Sequence, residues 1–268
     1  MIEMLTYNFM IRALIVGTLV SLCAALLGVI LVLKRYSMIG DGLSHVGFGA
    51  LAVAAAANIA PLYVAIPVVL LAAFCLLRLS ENSKINGDAA IAVISSTALA
   101  VGVIVASITG LNTDLNSYLF GSVLATSNSD AVMCIILSII VILLFLLFYN
   151  KIFAVTFDEN FSKATGIRPS IYNMIIAVLT ALTIVIGMRI MGTLLISALI
   201  IFPSLTAMRL CKSFKSVMIT AGILSVLCFL SGLTASYYLD IPTGPTVVIS
   251  NCIMLVVFWL ISKIRYRR

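Results

Sequence analysis

The feature that most constrains this chain is the recurrence of apolar runs about as long as a bilayer is thick. They fall at 9–33, 41–59, 62–79, 90–109, 131–149, 171–189, 191–208, 214–238 and 244–262. A hydrocarbon core of ~30 Å takes about 20 helical residues to cross. Backbone polar groups in lipid must be satisfied within their own segment, which selects helices, and the alternating pattern of a barrel strand is absent. The runs predict an all-α polytopic membrane protein with about nine transmembrane helices, or eight if one weak run lies at the interface. Composition agrees: 63% of residues are hydrophobic and 9% are charged, against about 25% charged in a soluble domain. Residues 1–268 therefore read as a single integral-membrane domain in a lipid bilayer.

Charge orients the spans. The loops Lys34–Gly40, Arg78–Asp88, Asn150–Ser170, Arg209–Lys215 and the C-terminus hold 14 of the 16 Lys/Arg residues; Arg12 and Arg189 fall outside them. Basic loops face the cytoplasm. Nine spans with the N-terminus outside and the C-terminus cytoplasmic place all these loops on one side. The net charge of +7 then reports topology, not a nucleic-acid partner. The six cysteines sit singly in apolar runs, with no CxxC pair, and read as small hydrophobes in helices. The N-terminal "MIEMLTYNFMIRALIVG" lacks a basic n-region and a cleavage site before its apolar run, so no removed signal peptide is expected.

Four stretches carry candidate chemistry. In "MIGDGLSHVGFGA", Asp41 precedes the chain's single histidine, His45, by four residues. On a helix this spacing puts both on one face, about 6 Å apart along the axis. Carboxylate and imidazole are ligands for zinc, manganese or ferrous iron. Two readings stand on spacing alone: a ligand pair along a pathway, or an Asp cap with a histidine facing headgroups. Gly40 and Gly42 flank Asp41 and predict a helix break, so that the helix starts inside the protein. One Asp and one His cannot close a metal site, but two copies facing each other supply two of each. In "GMRIMGTLLISALIIFPSLTAMRL", Arg189 sits at a tight turn and snorkels to the interface, and Pro203 inside a span predicts a kink or gate. The 111–130 loop carries Asp114 and Asp130, and "YYLDIPTGP" places Asp240 in a turn; such outer carboxylates suit contact with a delivering partner.

The 150–170 loop is different. Asp158 is a plausible N-cap with Glu159 in the first turn, and Gly166 is a plausible stop with Pro169 beyond it. This predicts a cytoplasmic helix of two turns or so, showing Phe161 and Ala164 or Thr165 on one side. No GxxxxGK[ST], HExxH or GxSxG motif is present, so the chain lacks these devices for ATP hydrolysis, zinc proteolysis or serine catalysis.

The stretches "LKRYSMIGDGLSHVGFGALAV", "YLFGSVL", "VTFDENFSKATGI", "MGTLLISALIIFPSLTAMRL" and "LDIPTGPTVVI" occur in this order. Together, from about residue 8 to 262, the chain resembles the transmembrane permease subunit of bacterial ABC importers for zinc, manganese or ferrous iron. The resemblance implies a multi-pass protein of the bacterial cytoplasmic membrane that is no enzyme itself. It implies a second permease copy, as a homodimer, and two copies of a cytoplasmic ABC ATPase subunit. An extracytoplasmic metal-binding protein would deliver the ion, touching Asp114 and Asp240. No cofactor is held permanently; the divalent metal ion is the transported substrate. Asp41 and His45 match the metal-pathway motif. The coupling helix falls at Asp158 to Gly166, with Asp158, Glu159, Phe161, Lys163, Ala164 and Gly166 as its ATPase-coupling residues. Gly42 stands where the family often carries alanine, a change expected to loosen the helix start.

Zinc is the cargo favoured by affinity order, with manganese and iron(II) as alternatives. Neutral imidazole is the coordinating form, so occupancy should fall on acidification. A siderophore or cobalamin permease would need no Asp–His pair. A membrane metalloenzyme lacks a base and a nucleophile, and a passive channel leaves the capped cytoplasmic helix unexplained.

Overall fold

A computed structural model describes residues 7–82, 87–110, 121 and 128–265, and its regular structure there is helical. The order is α1 (Asn8–Leu33), α2 (Ile39–Ala56), α3 (Pro61–Asn82), α4 (Gly87–Thr109), α5 (Asn128–Phe157), the short α6 (Glu159–Ala164), α7 (Pro169–Met191), α8 (Thr193–Leu210), α9 (Phe214–Leu239) and α10 (Thr243–Arg265). Among the described residues, eight helices are long and apolar enough to cross a membrane; α3 adds a shorter apolar stretch, Leu62–Leu76. The protein is an all-α polytopic membrane protein.

Helices in lipid gain little from burying apolar faces, so small residues that admit close backbone approach decide which helices pack. Along α1, Gly17 lies under the Phe229 ring of α9 and Gly28 lies against the Ile200 carbonyl of α8. Two hydroxyls fasten the same contacts: Ser225 donates to the Ser21 carbonyl at 2.8 Å and Ser204 to the Ala25 carbonyl at 3.4 Å. Helix α2 meets α4 where Gly49 faces the Ala98 carbonyl and Gly102 faces Gly49 and Phe48. Helices α1 and α2 are thus enclosed by neighbours, whereas the apolar faces of α4 and α10 are mostly open.

Two details differ from the sequence reading. Gly40 and Gly42 do not break the chain: α2 begins at Ile39 and runs through both, and Gly42 NH donates to the Met38 carbonyl at 3.0 Å. Their role is contact, because a Cβ on Gly42 would stand 2.6 Å from Ile91 Cγ2 and one on Gly40 2.9 Å from Ile200 Cδ1. An alanine at 42 would crowd α4, so glycine tightens this helix start. Helix α5 continues to Phe157, well past 149, taking up much of the expected loop. Phe153 and Phe157 continue it because they pack on Phe214, with centroids 5.0 and 5.7 Å away. Pro203 lies buried inside α8, the position within a span that the sequence reading gave it.

Replacing Gly49 with valine should destabilise the protein by about 1–3 kcal/mol, since a Cβ there meets the Ala98 carbonyl at 2.5 Å and the backbone cannot yield. Thermal unfolding in detergent measures it; an unchanged midpoint would refute the α2–α4 contact.

Candidate functional site

Asp41 and His45 occupy the first two turns of α2 and share one face. His45 Nε2 stands 3.7 Å from Asp41 Oδ2, with the side chains 24% and 42% exposed. This is too long for a hydrogen bond. It is close to the separation of two ligands on one ion: atoms each ~2.1 Å from a tetrahedral metal lie ~3.4 Å apart. Ser197 Oγ of α8 stands within donating distance of two acceptors, the Thr193 carbonyl one turn back at 2.9 Å and Asp41 Oδ1 at 3.3 Å, so its one proton serves either its own helix or the carboxylate.

His45 Nδ1 is buried and has no hydrogen-bond partner. In resident metal sites the second ring nitrogen usually donates to a carboxylate, carbonyl or water and locks the ring. Here no group among the described residues does so. His45 also lines an open groove of about 570 Å³ with Ser95, Ser96, Leu99, Ala100 and Val103 of α4. Among the described residues, no cluster of three or more His, Cys, Asp or Glu could hold a metal ion. The chain therefore presents a carboxylate and an imidazole on one helix face, a groove beside them with two serines in its lining, and an open α4 face.

Gly28 lies against the Ile200 backbone and Gly40 against the tip of the Ile200 side chain. Ile39 and Leu43 share a gap with Leu31 and Lys34. The first turn of α2, with Asp41, therefore packs beside the last turns of α1, and His45 lies one turn further along α2.

At the same end of α1 sits α6. Asp158 caps it, its Oδ1 accepting from the amides of Asn160 and Phe161, both at 2.9 Å. Gly166 ends it with φ +82°, in a turn where Ile167 NH reaches the Ser162 carbonyl at 2.9 Å. Ser162 faces inward; Phe161, 61% exposed, faces outward with Lys163 and Ala164. Glu159 stays about half exposed but reaches back to α1 and α7. Its Oε1 accepts from Lys34 Nζ at 3.0 Å and from Asn173 Nδ2 at 3.1 Å. Partial burial raises the Glu159 pKa, but the hydrogen bonds of Asn173 and Lys34 and the charges of Lys34 and Lys163 outweigh it, leaving the carboxyl below the ordinary glutamate value.

The structure thus brings Asp41 and His45 together, and Asp158 to Gly166 together as one capped helix. Asp240 stands apart, in left-handed backbone at the end of α9 (φ 52°). It lines a cavity of about 390 Å³ with Phe9, Gly121, Tyr237 and Thr243. Asp114 lies outside the described residues. Sequence reasoning missed Ser197, Lys34 and Asn173. Ser197 is one hydroxyl in an apolar run, and Lys34 counted only as a topology charge.

The profile of the ABC 3 transport family matches residues 6–262, and the chain belongs to that family. It is 33% identical over 270 residues to a probable iron transport system membrane protein of Haemophilus influenzae, covering 100% of this chain and 98% of the relative. It is 30% identical to the manganese import system permease protein ScaB of Streptococcus gordonii, covering 97% and 94%. It is equally identical to the high-affinity zinc uptake system membrane protein ZnuB of Haemophilus influenzae, covering 93% and 96%. Among solved structures it is similar to PsaBC from Streptococcus pneumoniae in complex with Fab, with TM-score 0.87 and 29% identity over 97% of this chain and 95% of the other.

The lowered Glu159 pKa sets a sign for acid. Its stabilisation of α6 is fully present above the ordinary glutamate value of about 4.3 and is lost as pH falls through the lower folded value. A spin label on the exposed Asn160 should become more mobile across that window, and the transition should vanish in Glu159→Gln. An identical transition in that variant would rule out Glu159 as its source.

Proposed function

We propose that this member of the ABC 3 transport family is the permease subunit of an ATP-driven importer for a divalent transition-metal ion. The observation that carries the reading is the Asp41–His45 pair. It sits on one helix face, at a separation an ion can bridge, and has Ser197 beside it at the edge of an open groove. The names of the iron, manganese and zinc relatives support a metal ion over a large chelate. Carboxylate and imidazole serve all three ions, and the affinity order favours zinc over manganese and iron(II).

In the proposed cycle the basic loops face the cytoplasm, with the N-terminus outside and the C-terminus inside. Asp240, with Asp114, faces an extracytoplasmic binding protein that delivers the ion. A second copy of the permease covers the open α4 face and brings a second Asp41–His45 pair. Two ATPase subunits dock on the α6 helices through Phe161, Lys163 and Ala164. Their closure swings the α6 helices and switches which side of the central site is open. Two ligands per copy, with a histidine ring that no second group locks, bind the ion weakly enough to release it. The site is a way station, and no ion resides in it.

The test is uptake by the reconstituted complex, with zinc and manganese ions assayed separately. Asp41→Ala and His45→Ala should each abolish uptake while the ATPase still co-purifies. Ser197→Ala, which frees the carboxylate to swing, should weaken apparent metal affinity roughly tenfold. Wild-type uptake in either ligand variant would remove the pair from the pathway.

A further inference from the structure

We infer that Lys34 is a positioning residue that carries the motion of α6 to the helix bearing Asp41 and His45; the inference rests on the reading of α6 as the ATPase-docking helix. Lys34 is the C-cap residue of α1. Its ammonium donates to Glu159 Oε1 of α6 at 3.0 Å and to Asn173 Oδ1 of α7 at 2.6 Å. Asn173 Nδ2 closes the ring by donating to the same Glu159 oxygen at 3.1 Å. Three elements, α1, α6 and α7, therefore meet at one point through side chains. The Lys34 side chain is only 8% exposed, so water replaces these partners poorly.

On the other side of Lys34 the chain has no slack. Arg35 takes a left-handed conformation, φ 62°, a strained choice for a residue with a Cβ. That conformation lets Tyr36 NH reach the Leu31 carbonyl at 2.7 Å and Arg35 NH the Val32 carbonyl at 3.1 Å, closing the end of α1. Ile39 NH then takes the Tyr36 carbonyl at 3.0 Å, and Gly42 NH the Met38 carbonyl at 3.0 Å, which starts α2. Between Lys34 and Asp41 the amides of Arg35, Tyr36 and Ile39 are each held by a backbone hydrogen bond within the turn, and α2 follows from Ile39. The side chains beneath this turn are equally tight. Lys34, Tyr36, Ile39, Leu43, Asn173 and Ile176 enclose a gap of only about 20 Å³. A close-packed contact transmits displacement where a loose one absorbs it.

Helix α6 has two other connections, the chain into α5 and the chain into α7. The chain into α7 also reaches the start of α2, because Asn173 and Ile176 of α7 line the same gap as Ile39 and Leu43. The Lys34–Glu159 pair adds the link from α6 itself, because Lys34 stands seven residues before Asp41 at the head of the hydrogen-bonded turn. A displacement of α6 by its partner therefore pulls the α1–α2 turn, and with it the first turn of α2, where Asp41 meets Ser197. The lysine does not touch the ion. It fixes how the position of α6 and the position of the carboxylate depend on each other.

The experiment uses the full reconstituted complex, with manganese ion uptake and ATP hydrolysis measured together. Lys34→Met and Glu159→Gln should each lower uptake per ATP hydrolysed about five- to tenfold, the range of an ordinary coupling energy, while the ATPase co-purifies as in wild type. The exchange Lys34→Glu with Glu159→Lys should recover most of the loss, which a merely structural lysine would not allow. If Lys34→Met fails to assemble, Glu159→Gln decides, because it is isosteric and lies 47% exposed. Unchanged uptake per ATP in the single variants, or an exchange that restores nothing, overturns the inference. Phe161→Ala separates the two levels. If it weakens ATPase docking while the Lys34 and Glu159 variants stay coupled, only the Lys34 link falls. If it changes neither docking nor coupling, the reading of α6 falls and the link falls with it.

Discussion

In hydrocarbon a polar group without a partner is expensive, and this constraint orders the whole structure. Helix backbones satisfy themselves. The hydroxyls mostly follow, giving their protons to a carbonyl one turn back: Ser96 to Ala92, Thr180 to Ile176, Thr183 to Leu179 and Thr206 to Phe202. Polar side chains handled this way can sit in a span at little cost and leave no reactive edge. Asp41 and His45 are the departure. The carboxylate competes with the Thr193 carbonyl for a hydroxyl of another helix, and Nδ1 of the imidazole has no partner among the described residues. A cost left uncompensated inside a membrane segment marks a pathway by default.

Packing without a hydrophobic drive depends on small residues, and these also set where the pair stands. Gly28, Gly40 and Ile200 bring α1, α2 and α8 to one level. Without glycine at 28 and 40, Ile200 would hold α2 away, and Ser197 would no longer reach Asp41. Gly42 and Gly49 draw α2 onto α4, which places the groove beside His45. Residues with no side chain thus position those that carry the chemistry.

The helical spans were legible in the sequence because their length and apolarity are fixed by the bilayer, whatever surrounds them. The caps of α6 were legible too, since Asp158 and Gly166 act on their own backbone within a few residues. The Asp41–His45 face followed from helical spacing. Long-range matters did not. Ser197 bonds Asp41 across 156 positions and Lys34 bonds Glu159 across 125, and no local pattern announces either. Gly40 and Gly42 misled for the same reason. A glycine pair beside an aspartate resembles a break until the neighbouring isoleucines are seen, and then it becomes a seam. The continuation of α5 past 149 was hidden likewise, because Phe214 that holds it belongs to α9.

An importer of the proposed kind must bind an ion long enough to select it and then let go. A closed four-ligand site with locked histidines does the first and fails the second. In the proposed reading, two ligands at the start of an enclosed helix, one beside a single hydroxyl of another helix and the other with no described partner on its second ring nitrogen, make an unsaturated site. Its strength then depends on what a facing copy adds, and so on the relative position of two permeases. Such a site needs no gate of its own. Moving the start of α2 by a fraction of an ångström relative to α8 changes the Ser197–Asp41 contact, the aim of the carboxylate and the coordination together. In this reading the energy of nucleotide binding is spent on geometry at Lys34 and collected as a change of affinity at Asp41.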